Sequence, residues 1–182
     1  MTDTSSATNQ VLPGVAGGSS RPSSSAVRLD VSAVSHAGHV RKNNEDQFFV
    51  TRATSMTGNL GGLAGADATC QRLAGAVGEG GRIWRAYLSV ERDPANGNQP
   101  THARDRIGAG PWLNANRMVV ANSVAELHAR TGDASVFLDE RGQRINGQWS
   151  GSPSPVQHDI LTGSNADGTL AAGLTCADWT SN

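Results

Sequence analysis

The chain reads as an α+β domain: two helices set on short strands, joined by long loops, behind a disordered N-terminal tail. Three observations predict this. Ala66, Cys70, Leu73, Ala74 and Val77 recur at the spacing of one helix face. Trp84, Ala86, Leu88 and Val90 alternate with Ile83, Arg85, Tyr87 and Ser89, the period of a strand partly buried on both faces. Twenty-two glycines and an apolar content of 37% favour a loop-rich fold over a helical bundle. At 182 residues there is room for one domain with a core, plus a tail.

Residues 1–27 are rich in Ser, Gly and Ala and have almost nothing to bury, so they are expected to be disordered. RLDVSAVS then reads as a strand, and DQFFV, after a polar turn, as a second one. GNLGGLAG is a glycine-rich loop leading into the helix ADATCQRLAGAV, which Gly78, Gly80 and Gly81 end. RIWRAYLSV is one strand and DPANGNQP a loop. SVAELHAR is a second helix: Ser123 and Glu126 have the spacing of a capping box, in which each side chain satisfies a free backbone N–H. VFLD is a short strand, DERG a turn and INGQWSG another strand entry, and the chain from Ser152 onward is mostly loop.

A net charge of −1 gives no bulk field that would draw the chain to nucleic acid or to an anionic membrane. No apolar run approaches the roughly 18 residues of a membrane span. MTDTSSATNQVLPG lacks the basic and apolar regions of a secretory signal, so the chain as written is expected in the cytoplasm. Two cysteines, Cys70 and Cys176, are too few for a thiolate metal site; they can form one bridge or remain two buried thiols.

The stretch SHAGHVRKNNED, residues 35–46, resembles the first motif of the metal-dependent Ser/Thr protein phosphatase (PPM) family through Ser35, Gly38, Val40, Arg41, Asn44, Glu45 and Asp46. The resemblance implies that Arg41 binds substrate phosphate and that Glu45 and Asp46 lie at a two-metal Mg²⁺ or Mn²⁺ centre. The rest of that pattern is missing. No DGMGG follows, and the only Asp-Gly is Asp167-Gly168. One arginine and one acidic pair cannot hold two cations about 3.5–4 Å apart, so residues 28–50 read as an inactive phosphatase-like fragment.

Residues from about 49 to 182 resemble a different family. FVTRATSMTGNLGGLAGADATCQ, IWRAYLS, DERG…WSGS and TCADWTS are similar to a secreted bacterial domain of unknown function that includes endostatin-like surface proteins and is related in fold to C-type lectin-like domains. The resemblance implies two helices packed on antiparallel strands, and adhesion or ligand binding outside the cell, with a glycan or a surface protein as partner. It also implies that the domain is incomplete. Its closing strand is missing, leaving an unpaired sheet edge, and Cys70 and Cys176 have each lost a disulfide partner. The chain is then a truncated or chimeric product.

Among other candidates, Trp84 and Trp149 read as core, while Trp112 and Trp179, in loops, are candidate stacking platforms for a ligand. A calcium site of the lectin-like kind could draw on Asp159, Asn165, Asp167 and Asp178, though nothing in their spacing singles them out. GSNADGT fails as an EF-hand, because Leu174 stands where a bidentate Glu is needed. GNLGGLAGAD lacks the Lys of a P-loop, and His128 reads as a surface or boundary residue. The sequence therefore favours a non-catalytic, lectin-like binding module. The alternative is a PPM-type phosphatase represented only by its first motif.

Overall fold

The computed structural model of the chain describes residues 32–36, 46–51, 57–130, 134–147, 149–155 and 160–181. The stretch 1–27, expected as a disordered tail, lies outside these residues. Among the described residues the fold is α+β, with a five-stranded sheet, a two-stranded ribbon and three helices.

The sheet is built around β2 (Asp46–Val50), the DQFFV strand, whose five residues are all buried. Successive strand residues face opposite ways. Phe49 accordingly joins Cys70 and Trp84 in one cluster, while Phe48 and Val50 enter two others. β1 (Ser32–His36) lies antiparallel between β2 and β3 (Ile83–Ala86), with Ala33 opposite both Phe49 and Ala86. Residues 28–50, set apart by their phosphatase-like motif, thus supply two neighbouring strands of the sheet interior.

The far side of the sheet departs from the antiparallel expectation. β2 runs parallel to β6 (Trp112–Leu113), and β7 (Val119–Ala121) closes antiparallel on β6. Only a long crossover can join parallel neighbours; here it contains α1, β3 and the ribbon of β4 (Val90–Asp93) and β5 (Gln99–Thr101). The expected single strand 82–90 is two, broken between Ala86 and Val90, and the expected loop 93–100 holds a 3-10 turn (Pro94–Asn96) and the start of β5. Pro94 presets the turn, and the Asp93 side chain caps it by accepting from the Ala95 N–H.

Helix α1 (Gly62–Ala76) begins four residues before the apolar periodicity does. Gly65 permits this: a Cβ there would collide with the Leu60 carbonyl oxygen. The helix buries Ala66, Cys70 and Ala74 against Phe49, Trp84, Ala86, Leu88 and Trp179. Beside that apolar stripe, Asp67 Oδ1 accepts the Ala86 N–H at 2.8 Å and Gln71 Oε1 accepts the Trp84 N–H at 3.0 Å. A helix rises about 6.0 Å over four residues and a strand about 6.6 Å over two, so the two side chains replace a neighbouring strand along the outer edge of β3. The two outward N–H groups of β3 are thereby covered.

Helix α2 (Val124–Ala129) falls where the capping box predicts it. The Ser123 hydroxyl accepts the Glu126 N–H at 3.1 Å. Glu126 reaches one residue further back than the motif implies, accepting the Asn122 N–H at 2.9 Å.

The expected strands VFLD and INGQWSG reduce to one isolated bridge between Leu138 and Arg144. The buried Asp139 prevents more: its Oδ1 accepts the Arg141 and Gln143 N–H groups and bends the chain into a tight turn. Buried Asn114 does the same for Asn116 and Met118. The third helix, α3 (Cys176–Trp179), is a single left-handed turn, with φ of 49, 51, 55 and 64°. Such residues cost roughly 1–2 kcal/mol each. The turn is held by the Thr175 carbonyl accepting the Trp179 N–H and by the Trp179 carbonyl accepting the Leu60 N–H.

Candidate functional site

Where β3, β4 and the 3-10 turn meet α1 and α3, the surface encloses a cavity of about 770 Å³. Most of its polar wall is already committed. Arg106 donates to both oxygens of Asp67, at 2.9 and 2.7 Å, and to the Ala86 carbonyl at 2.6 Å. Asp93 holds Ala95 and the Thr101 hydroxyl. Asp178, carried on the left-handed turn, accepts the Glu91 N–H at 2.6 Å. Two guanidinium groups differ. Arg85 on β3 and Arg92 on β4 are exposed at the wall, and neither is held by an ion pair or side-chain hydrogen bond among the described residues. Among the described residues no Trp, Tyr or Phe lines this space. A ligand here would meet small aliphatic side chains, the exposed Asp105 carboxylate and two planar donors suited to carboxylate, sulfate or phosphate oxygens.

The candidates named from the sequence do not converge. Trp112 and Trp179 are both fully enclosed, so neither offers a ring face for stacking. Trp112 packs with Phe48 and Val120, while Trp179 donates its indole N–H to the Ser89 carbonyl at 2.9 Å. Trp149, expected as core, is only half-buried, with Arg144 over its ring at 5.6 Å. Trp84 is core as expected.

Arg41, Glu45 and Asp159 lie outside the described residues. Asp46 is fully buried in β2: its Oδ2 accepts the Gly110 N–H at 2.8 Å, and its Oδ1 has no partner among the described residues. Asn165 and Asp167 bind their own loop, Asn165 donating to the Thr169 hydroxyl and the Leu170 carbonyl, Asp167 accepting from the Thr169 N–H and hydroxyl. Asp178 stands apart from them in the cavity wall. Among the described residues no group of three or more His, Cys, Asp or Glu side chains is placed to hold a metal ion. Both cysteines are free thiols. Burial, aided by the neighbouring Asp67 carboxylate, pushes the Cys70 thiol up to about 12, so it stays protonated and unreactive at neutral pH.

Sequence reasoning missed a polar cluster on the other side of the sheet. The His128 Nδ1–H donates to the Val124 carbonyl at 2.7 Å, which leaves Nε2 to accept from the Tyr87 hydroxyl. Gly168 presses against this pair, and Arg104 lies 3.8 Å from Asp167 beside it. Burial pushes the Tyr87 hydroxyl up to about 12 against the opposing pull of Arg104, so it remains a donor. Helical placement of His128 was legible; its partner, 41 residues earlier, carried no sequence signal.

No protein-family model, curated protein or solved structure matches the chain. Among the described residues no helix is long and apolar enough to cross a membrane.

Proposed function

We propose that the chain is a non-catalytic, lectin-like binding module of the adhesion type, with the cavity beside Arg85 and Arg92 as its ligand site. The observation that carries this reading is the contrast within the cavity wall. Asp67, Arg106, Asp93 and Asp178 are fixed to the protein's own backbone, while Arg85 and Arg92 are held by nothing among the described residues. Such a wall is preorganised to hold a ligand and offers two donors to orient it. Its partners by this reading are glycans or surface proteins. The resemblance of GNLGGLAGADATCQ to a secreted endostatin-like domain supports the same class.

The test is binding of the intact chain to a broad array of glycans and matrix proteins, followed by affinity measurement on any hit. Replacing both arginines (Arg85→Ala with Arg92→Ala) is expected to weaken binding at least about tenfold, since hydrogen bonds to charged groups contribute roughly 1.5–3 kcal/mol each. An intact chain that binds nothing on the array, or a double variant that binds as well as wild type, overturns the proposal.

A further inference from the structure

The loop from Asn165 to Leu170 is fastened to the rest of the molecule by two histidines in acceptor mode. The Leu170 N–H donates to His102 Nδ1 at 2.9 Å, so in the neutral ring the proton sits on Nε2. His128 has the opposite tautomer, fixed by the Val124 carbonyl, and its bare Nε2 accepts from Tyr87, whose hydroxyl touches Gly168. The Gly168 carbonyl in turn accepts the Arg104 N–H at 3.1 Å, which joins the loop to the 3-10 turn Ala103–Asp105 that directly follows His102.

We propose that these two rings form a pH-sensitive latch, which holds the 165–170 loop at neutral pH and releases it when both rings take up a proton. Protonation at His102 Nδ1 turns the acceptor into a donor facing another donor, and the bond to Leu170 is lost. Protonation at His128 Nε2 reverses the bond to Tyr87, whose hydroxyl hydrogen must then turn out of that bond in a contact that Gly168 already crowds. The charged groups around the rings do not cancel this change. Arg104, on the turn between them, is paired with Asp167 at 3.8 Å. Asp105 is exposed, and the Glu126 carboxylate is engaged by Asn122. The Asp167 carboxyl is held below its usual range by the Thr169 hydroxyl first and the Thr169 N–H second. The loop's internal turn therefore survives acidification, and what changes is its attachment. The latch does not depend on what the cavity binds.

Amide hydrogen exchange on the intact chain, read as protection factors at pH 7.5 and 5.0, tests it. Leu170 protection is expected to fall about fivefold or more in acid, the loss of one net hydrogen bond. Trp84, whose N–H is held by Gln71 with no titrating ring, should not change. His102→Asn keeps an oxygen acceptor near the Nδ1 position and His128→Gln keeps one near Nε2, and neither can be protonated in this range. The double variant should therefore hold Leu170 equally at both pH values. Unchanged Leu170 protection in wild type, or the same acid loss in the double variant, overturns the latch. If the double variant does not fold, NMR titration of the wild-type chain decides: the Leu170 amide and the His102 ring must titrate together, and separate midpoints overturn it.

Discussion

On the helix side of the sheet, between Gly62 and Val90, the chain is buried by periodicity. Every fourth residue of α1 and every second residue of the facing strand goes inward, and the polar neighbours Asp67 and Gln71 finish the edge. On the turn side, between Trp112 and Ile145, burial is achieved by side chains that organise the backbone around themselves. Asn114 and Asp139 are fully enclosed, and each gathers two N–H groups, while Trp112 is enclosed by Phe48 of β2 and by Val120 and Ala121 of β7. The difference shows that a region poor in regular structure need not be poor in core. An inward-facing carboxylate or amide can replace the backbone ladder that a helix or strand would supply.

The largest expected effect tests whether the turn side is core in energetic terms. Trp112→Ala should cost about 3–5 kcal/mol, like Trp84→Ala on the helix side, because both remove a buried ring. Urea denaturation of both variants measures this through the midpoint at constant slope. Trp112→Phe, which keeps most of the ring and removes a buried indole N–H with no partner among the described residues, should cost less than half as much. If Trp112→Ala costs less than a third of Trp84→Ala, the turn side is a loosely attached layer and the comparison breaks.

A second pair of variants sharpens the contrast between the two kinds of polar group. Asp139→Ala leaves the Arg141 and Gln143 N–H groups without their acceptor inside a tight turn, at a cost of about 2–4 kcal/mol. Asp139→Asn retains an acceptor oxygen and should recover more than half of that loss. Gln71→Ala frees one N–H at a sheet edge, for about 1 kcal/mol. Equal costs for Asp139→Ala and Gln71→Ala would mean that the carboxylate follows the turn rather than shaping it.

The same contrast governs what could be read from the chain beforehand. DQFFV, α1, α2 and the alternation at Trp84–Val90 were legible because each residue's fate is decided by neighbours two to four positions away. Asp67 and Gln71 sat in plain view as a four-residue spacing, but their role needs the strand that begins at Ile83 to be docked beside them. Trp112 and Trp179 lie in segments that look like loops, so their burial is not legible locally; the Ser89 carbonyl that holds Trp179 lies 90 residues before it. The left-handed turn at Cys176–Trp179 carries no glycine, the usual sign of positive φ, so nothing in TCADW announced it. The candidate cavity was illegible for a related reason. It is a junction of seven elements, and its two exposed arginines are ordinary strand residues until those elements meet.

The smallest effect concerns a contact between the two sides. Arg117, in the turn organised by Asn114, donates to Glu79 just past α1 at 2.7 Å, yet its side chain is 62% exposed and its φ is 61°. An exposed ion pair contributes about 0–1 kcal/mol, while a Cβ in the left-handed region costs about 1–2 kcal/mol. Removing only the charge (Arg117→Ala) should therefore destabilise by no more than about 1 kcal/mol, a loss that vanishes in 1 M salt. Removing the Cβ as well (Arg117→Gly) should leave the protein at least as stable as Arg117→Ala, despite the freer unfolded chain. Thermal unfolding of the three proteins at low and high salt measures both differences. Were Arg117→Ala to cost more than about 2 kcal/mol regardless of salt, the two sides would be joined by this surface pair rather than by the strands between them, and β2 would lose its place as the element that unites the core.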